Sequence, residues 1–331
     1  MGSFPNASMK TSIAMAVYNG EQFIREQLES FVHQTQLPDE LVVSDNASTD
    51  STVQIVRDFA ARAPFAVHLF INECNLGVTK NFERAINECC GDIIFLSDCD
   101  DVWYPRKIST MKQAFVESPR AGVAICDADL VNDHLEAFDS RLWQALGFRY
   151  RAHYQKKLAR GNIVDRRVPV TGCCMAFRAR FKPFVLPLPD GYGHDVFIVW
   201  AIMCSGIGGV ALVPTPLLAY RQHPNQVTRI MRGAEPGEPE PGPFAQRFVG
   251  RHERPIRALT PVMTRLENAH QWQHSNRKLL SALLRHWRAR CELPAGRFAR
   301  LPVILRELAT LRYNRFSGGV LTAAKDLIFV R

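Results

Sequence analysis

The 331-residue chain is 47% hydrophobic and 22% charged, enough apolar content to bury a sizeable core and too much for a disordered chain. Its net charge of +9 is uneven: residues 244–331 carry 17 Lys plus Arg against 5 Asp plus Glu, which leaves the preceding part neutral to slightly acidic. A basic segment of this kind suits anionic lipid, nucleic acid or a phosphate-bearing substrate, and composition alone does not choose among them. In chain order, Ser12 to Val17 is a short apolar run and reads as a strand. Glu21 to Gln34 places Phe23, Ile24, Leu28, Phe31 and Val32 on one helical face. Leu41 to Ser44 is a second strand. A second helical stripe (Val53, Val56, Phe59, Ala60, Ala63) follows the capping-rich Ser48-Thr-Asp-Ser51. Val67 to Ile71, a third helix marked by Phe82, Ala85, Ile86 and Cys89, and the wholly apolar Ile93 to Leu96 complete a β-α-β-α-β-α-β series. That alternation predicts an α/β fold with a doubly wound, mostly parallel sheet flanked by helices.

Two breaks shape the rest of the chain. Val196 to Tyr220 has no charged residue and is long enough to span a bilayer, but the Cys204-Ser-Gly-Ile-Gly-Gly209 segment, Pro214 and Pro216 break it. It is expected to be a short apolar helix followed by a buried strand. Residues 231–244 form a Pro/Gly/Glu linker. The chain is therefore expected to divide into residues 10–230, that linker, and a basic helical region over residues 245–331. Nine cysteines without a CxxC pair read as reduced thiols of a cytosolic protein, with no zinc-ligand spacing. The N-terminal MGSFPNASMK reads as neither a secretory leader nor a myristoylation signal, since Asn6 stands where the latter needs Ser or Thr.

In parallel sheets, ligands sit beyond the carboxyl ends of the strands. The polar segments of the first half gather there: Tyr18-Asn-Gly20, Asp45-Asn-Ala-Ser48 and Ser97-Asp-Cys-Asp-Asp101. Carboxylates as close as Asp98, Asp100 and Asp101 repel one another unless a cation joins them, and Mg²⁺ or Mn²⁺ shares such oxygens with substrate phosphates. The bland alternative is a solvated acidic turn; its place directly after a buried strand favours function. Asp45 could accept a hydrogen bond from a ribose or simply close an Asx-turn. Tyr18 could stack on a base or close the core. Asp195, at the start of an apolar helix after a Pro/Gly turn, is a helix cap or a general base. His223 is a candidate ligand on a loop. The chain has no G-x-x-x-x-G-K-[ST] loop, no G-x-G-x-x-G after the first strand and no G-x-S-x-G elbow. These absences argue against a P-loop NTPase, a dinucleotide dehydrogenase and an α/β-hydrolase.

Taken together, seven segments resemble a family 2 glycosyltransferase of the GT-A fold. They are Ser12-Ile-Ala-Met-Ala-Val-Tyr-Asn-Gly-Glu21, Leu41-Val-Val-Ser-Asp-Asn-Ala-Ser-Thr-Asp50, Asn75-Leu-Gly77 with Asn81-Phe82, Phe95-Leu-Ser-Asp-Cys-Asp-Asp-Val-Trp103, Thr171-Gly-Cys-Cys-Met-Ala-Phe177, Gly193-His-Asp195 and Tyr220-Arg-Gln-His223. The acidic segment and the His-Asp pair are most similar to the rhamnosyltransferase-like branch. Cys99, Ala16 and Gln226 depart from its usual Gln, Pro and Asn.

The resemblance implies a donor site in which Val17, Tyr18, Glu21 and Asp45 surround the nucleotide. It implies Asp98 and Asp100 as the DxD metal pair, Asp101 near the sugar-phosphate end, Asp195 as the base, and His223 as a further metal or diphosphate contact. The implied activity is inverting, metal-dependent transfer of a sugar from a dTDP- or UDP-sugar to a glycan or lipid-linked acceptor in cell-surface polysaccharide synthesis. Rival readings are a sugar-phosphate nucleotidyltransferase, whose Gly-rich basic loop Tyr18-Asn-Gly-Glu21 does not provide, and a nucleotide-sugar-binding module without catalysis. The basic tail resembles that branch's C-terminal helices. Leu321, Ala324, Leu327, Ile328 and Val330 with Arg315, Lys325 and Arg331 suit peripheral contact with the inner membrane face rather than nucleic acid. A plain helix packed on the catalytic domain is the alternative.

Overall fold

The alternation of short apolar runs with amphipathic stretches becomes a layered sheet. The computed structural model describes residues 9–159, 168–190, 193–205, 207–224, 226, 260, 261, 263–265, 274–317 and 319–328. The linker over residues 231–244 lies outside the described residues, as do Val330 and Arg331. The first half runs β1 (Thr11–Val17), α1 (Ile24–Val32), β2 (Glu40–Asp45), α2 (Thr52–Ala60), β3 (Ala66–Ile71), α3 (Val78–Glu88) and β4 (Ile93–Ser97). β5 (Val102–Trp103), α4 (Lys107–Glu117), β6 (Ala121–Val131), β7 (Ala137–Arg141), α5 (Leu142–Ala145) and α6 (Ala152–Ala159) follow. Then come β8 (Met175–Arg178), α7 (Lys182–Val185), α8 (His194–Ser205) and β9 (Gly209–Arg221).

One nine-stranded sheet has the order β3-β2-β1-β4-β8-β6-β9-β5, with β7 beside β6. β1 through β4 are mutually parallel, β8 is antiparallel to both neighbours, and β6 and β9 are parallel. The fold is therefore α/β, with the parallel part first and a mixed part after it. β1 and β4 are buried on both faces, which is why they read as unbroken apolar runs; β3, at the edge, is half exposed. The chain steps from β1 outward to β2 and β3, then returns past β1 to β4. With right-handed crossovers this reversal puts α1 and α2 on one face and α3 on the other. The packing agrees, since α1 meets α2 while α3 meets α8. The reversal makes the β1/β4 junction the switch point where an open sheet forms a crevice.

The uncharged stretch at 196–220 folds as α8 and β9, a helix and a strand, and no helix among the described residues is long and apolar enough to cross a membrane. Pro214 and Pro216 sit where the β6–β9 register shifts between Cys126 and Asp127, so their missing N–H groups cost the ladder nothing. α8 packs tightly on the sheet because Gly122 and Gly208 lack side chains. A Cβ at Gly122 would lie 2.5 Å from Ile202 and 2.6 Å from Phe181.

The C-terminal helices are α9 (His274–Cys291), α10 (Arg297–Ala309), α11 (Arg312–Phe316) and α12 (Val320–Ile328). Leu280, Leu283, Leu284 and Trp287 of α9 join the main core, and α9 packs against α8. α10, α11 and α12 share a small separate core of Ile304, Tyr313 and Ala323.

Candidate active site

The crevice is built from four pieces of chain, each fixed by its own hydrogen bonds. The first is the pair of loops after β1 and β2. Asn19 and Ala47 take left-handed backbone angles there, φ 47° and 62°. Asn19 N–H donates to Ser48 Oγ (2.9 Å), and Thr49 N–H donates to Asn19 Oδ1 (2.8 Å), so the loops clasp each other. Glu21 N–H donates to Asp50 Oδ2 (3.1 Å), while Glu21 Oε2 accepts the Ser51 N–H (2.9 Å). α2 is started by Asp50, whose Oδ1 accepts the Thr52 N–H, and Ser51 makes no side-chain cap. Val17 is buried in this wall and Tyr18 stands half exposed at the mouth. Asp45 is fully buried: Oδ2 closes an Asx-type turn by accepting the Ser48 N–H (2.9 Å), and Oδ1 has no hydrogen-bond partner.

A second layer that no single motif announced supports these loops. Ser44 Oγ and Asn72 Nδ2 both donate to Asn81 Oδ1 (2.7 and 2.9 Å), and Asn81 Nδ2 donates to the Val17 carbonyl (3.2 Å). Asn46 Nδ2 reaches Asn75 Oδ1 (2.7 Å), and Arg84 donates to Asn72 Oδ1 (2.9 Å). The ends of β1, β2 and β3 are thereby tied to α3 through buried amides. Fully satisfied networks of this kind rigidify a site.

The acidic turn after β4 is the third piece. It leads directly into β5, which pairs with β9, so the turn is held between two strands. Gln27, buried on α1, donates to Ser97 Oγ (2.7 Å) and to the Asp98 carbonyl (3.2 Å). Arg221, at the end of β9 and almost wholly buried, pins the turn from the other side. Its N–H donates to Asp101 Oδ1 (3.1 Å), its Nε donates to the Asp100 carbonyl (2.7 Å), and its guanidinium also binds Glu26 and the Asp133 carbonyl. The ring of Phe23 covers it at 4.5 Å. Two residues on, His223 Nε2 lies 3.0 Å from Asp100 Oδ2 and packs on the same ring of Phe23.

The fourth piece joins the turn at Gly172–Cys174 to the start of α8. His194 stacks on Phe82 at 3.9 Å, in a space that exists because Gly172 has no side chain; a Cβ there would sit 2.8 Å from His194 Nε2. Burial holds the His194 imidazole below its ordinary pKa. Asp195 follows in the first turn of α8, partly exposed, with Oδ1 accepting its neighbour Val196 N–H at 2.7 Å. It is near enough to raise Asp98 by charge repulsion.

Electrostatics set this cluster apart. Burial, then the charges of Asp100, Asp101 and Asp195, push the Asp98 carboxyl well above the usual range. Asp101, fully buried, is pushed up to about 7 by burial and by Asp100. Asp101 Oδ2 has no hydrogen-bond partner. Beneath the cluster the ammonium of Lys107 is fully buried, donating to the Cys173 carbonyl (2.6 Å) and lying 3.7 Å from the centre of the Trp103 ring. The other buried cation at this turn, Arg221, is already paired with Glu26, so the three carboxylates outnumber the positive charge left to them.

Among the described residues, ligand atoms of Asp98, Asp101 and Cys173 lie within 4.8 Å of one another. The oxygens suit a hard divalent cation and the thiol does not; burial keeps that thiol protonated. The orphaned Asp101 oxygen and the raised carboxyls fit a metal. Two of the three residues expected to hold it from sequence, Asp100 and His223, are paired with each other, while Asp98 belongs to the tighter group with Asp101. Lys107, Arg221 and Gln27 escaped the sequence reading because a buried charged or amide side chain leaves no periodic signal. Arg221 did lie inside the Tyr220–His223 segment.

A strand-order reversal with carboxylates at the β4 end and polar loops after β1 and β2 places a polar crevice at the edge of an α/β sheet. Residues 12–182 match the glycosyl transferase family 2 domain, and the chain belongs to that family. Rv1520 of Mycobacterium tuberculosis is 30% identical over 220 residues, covering 64% of this chain and 58% of that protein. The putative glycosyltransferase EpsE of Bacillus subtilis is 30% identical over 137 residues, covering 41% and 49%. The dTDP-rhamnosyl transferase RfbG of Shigella flexneri is 38% identical over 99 residues, covering 28% and 34%. The match spans less than two thirds of each of these relatives. S. aureus TarS (1-349) in complex with UDP-GlcNAc superimposes with TM-score 0.56 at 14% identity, over 96% of this chain and 88% of that one. The mannosyltransferase PcManGT from Pyrobaculum calidifontis, in complex with GDP-Man and Mn²⁺, does so with TM-score 0.50 at 19% identity, over 97% and 79%. The fold is of the GT-A type.

Proposed function

We propose that the chain moves a sugar from a nucleoside-diphosphate donor to a glycan or lipid-linked hydroxyl acceptor, with inversion at the anomeric carbon. The observation that carries this reading is the stack of carboxylates at the switch point, where Asp98 and Asp101 are raised first by burial and then by neighbouring carboxylates, with buried Lys107 beneath them and buried Arg221 already paired with Glu26. Such a stack is costly unless a cation joins it, and a diphosphate then completes the cation's ligands. Asp98, Asp101 and Asp100 would hold Mg²⁺ or Mn²⁺, with His223 fixing the orientation of Asp100 or contacting the diphosphate. When bound, the cation supplies positive charge to the leaving diphosphate.

The other residues follow from their places. Val17, Tyr18 and Asp45 form the wall and floor for the nucleoside, and the free Asp45 Oδ1 is an acceptor aimed at no protein donor. Glu21 holds the loop that shapes this wall, with its second oxygen left for the donor. Asp195, on the far side of the acidic turn, takes the proton from the acceptor hydroxyl. The oxygen then attacks the anomeric carbon as the bond to the diphosphate breaks on the opposite face. Among the described residues, one base and no second carboxylate placed as a nucleophile favour a single displacement. The match to the dTDP-rhamnosyl transferase supports a dTDP- or UDP-sugar, with rhamnose first to try.

The test is a thermal-shift screen of dTDP- and UDP-sugars with Mg²⁺ or Mn²⁺. Wild type is expected to be stabilised by donor plus metal beyond either alone, and Asp100→Ala is expected to lose the metal-dependent part. A donor shift indifferent to metal and to Asp100 would overturn the assignment of the cluster.

A further inference from the structure

Beyond transfer chemistry, the C-terminal helices are built inside out. α9 presents its apolar face to the main core and packs on α11, while α10 and α12 are linked to it through side chains. The layer between them is charged. Arg290 makes a paired contact with Asp326 (2.6 and 3.1 Å), Tyr313 donates to the same carboxylate (2.9 Å), and His286 Nδ1 meets Glu307 (2.9 Å). Arg300 donates to the Asp326 carbonyl at 3.0 Å. All of these side chains are buried.

Apart from the small core of Ile304, Tyr313 and Ala323, the large apolar residues face the other way. On α10, Phe298, Pro302, Leu305 and Ala309 are exposed at spacings of 4, 3 and 4, which is one outward face of a helix. On α12 the exposed positions are Val320, Leu321, Ala324, Lys325 and Ile328. Phe298 is 88% exposed, Leu321 78%, Val320 66%, Leu311 63% and Leu305 58%. Among the described residues, every large apolar side chain more than half exposed lies here. Large apolar side chains gathered on the outer faces of two packed helices mark a surface that meets something apolar.

The charge of the face selects the occupant. The only acids of residues 297–328 are Glu307 and Asp326, and both are buried in ion pairs. The exposed charges on α10 and α12 are Arg297, Arg306 and Lys325, all basic. Exposed apolar side chains on helices whose exposed charges are all basic complement an anionic bilayer: the apolar face enters the headgroup boundary while the basic chains reach phosphate. We infer that the outer faces of α10 and α12 dock the full chain on an anionic lipid surface.

The experiment is co-sedimentation of the full chain with phosphatidylglycerol-containing vesicles and with phosphatidylcholine vesicles, at low and high salt. No donor, metal or turnover is needed, so the outcome is independent of the transferase reading. Wild type is expected to pellet with the anionic vesicles, less so in high salt, and poorly with phosphatidylcholine. Phe298→Ser combined with Leu321→Ser is expected to lower that partition about tenfold or more, since each lost apolar side chain weakens insertion. Both positions are exposed, so the melting temperature should not move. Leu37→Ser, on the catalytic part, should bind as wild type does. Equal binding to both vesicle types, no binding to either, or a dimer that the double variant dissolves would each overturn the inference. The dimer would assign the face to a second copy of the chain.

Discussion

Asp195 is the residue on which the proposed chemistry turns, and its surroundings separate its two possible duties. As a first-turn residue of α8 it needs only the acceptor it already provides, one oxygen to the Val196 N–H. As a base it must also face the acidic turn, and its charge does reach Asp98. Asp195→Asn keeps the shape and the capping oxygen but cannot take a proton. Turnover is expected to fall by about 10²- to 10⁴-fold. Donor binding by thermal shift should be retained. Near-normal turnover in the variant would return Asp195 to the role of a cap.

At the scale of elements, the seating of α8 decides where Asp195 and His194 lie. Phe181 and Ile202 rest in the gaps left by Gly122 and Gly208. Gly122→Ala forces that contact apart and is expected to cost about 1–3 kcal/mol of stability, read by chemical denaturation. Because α8 must shift, turnover should fall as well, whereas an unchanged rate would mean that the helix end is held by the His194–Phe82 stack alone. The same element marks how far the sequence was readable. β1 to β4 were legible because strands buried on both faces leave unbroken apolar runs, and α1 to α3 because their stripes are amphipathic. α8 was legible as an apolar helix only through the breakers around Gly206. Of the candidate site, Asp98, Asp100, Asp101 and Asp195 stood out in the sequence, since carboxylates at strand ends and helix starts contrast with apolar neighbours, and His223 stood out as a loop histidine. The clamp of Arg221, the buried Lys107 and the asparagine network were not. Their partners are backbone carbonyls and side chains from distant parts of the chain, and pairings over such separations leave no local pattern.

On the scale of the whole molecule, α9 joins the C-terminal helices to the rest of the chain, apolar on the face it turns to the main core and polar where it meets α10 and α12. Breaking a buried ion pair from one side leaves a stranded charge, which costs about 3–5 kcal/mol. His286 gives this layer a pH dependence. Burial is the main cause that holds its imidazole below the ordinary value; Glu307 and Asp326 pull it upward, and Arg290 pushes it down. As pH falls through about 6.5, an unfolded histidine takes a proton while the buried one does not. The unfolded state then binds more protons, so this contribution is complete above that pH and is lost progressively below it. His194, also lowered by burial, contributes with the same sign. His286→Gln removes one of the two groups. Between about pH 7 and pH 5 the melting temperature of wild type is expected to fall more steeply than that of the variant. The difference isolates His286 from every carboxylate the two proteins share, and identical slopes would show that His286 carries the same charge folded and unfolded.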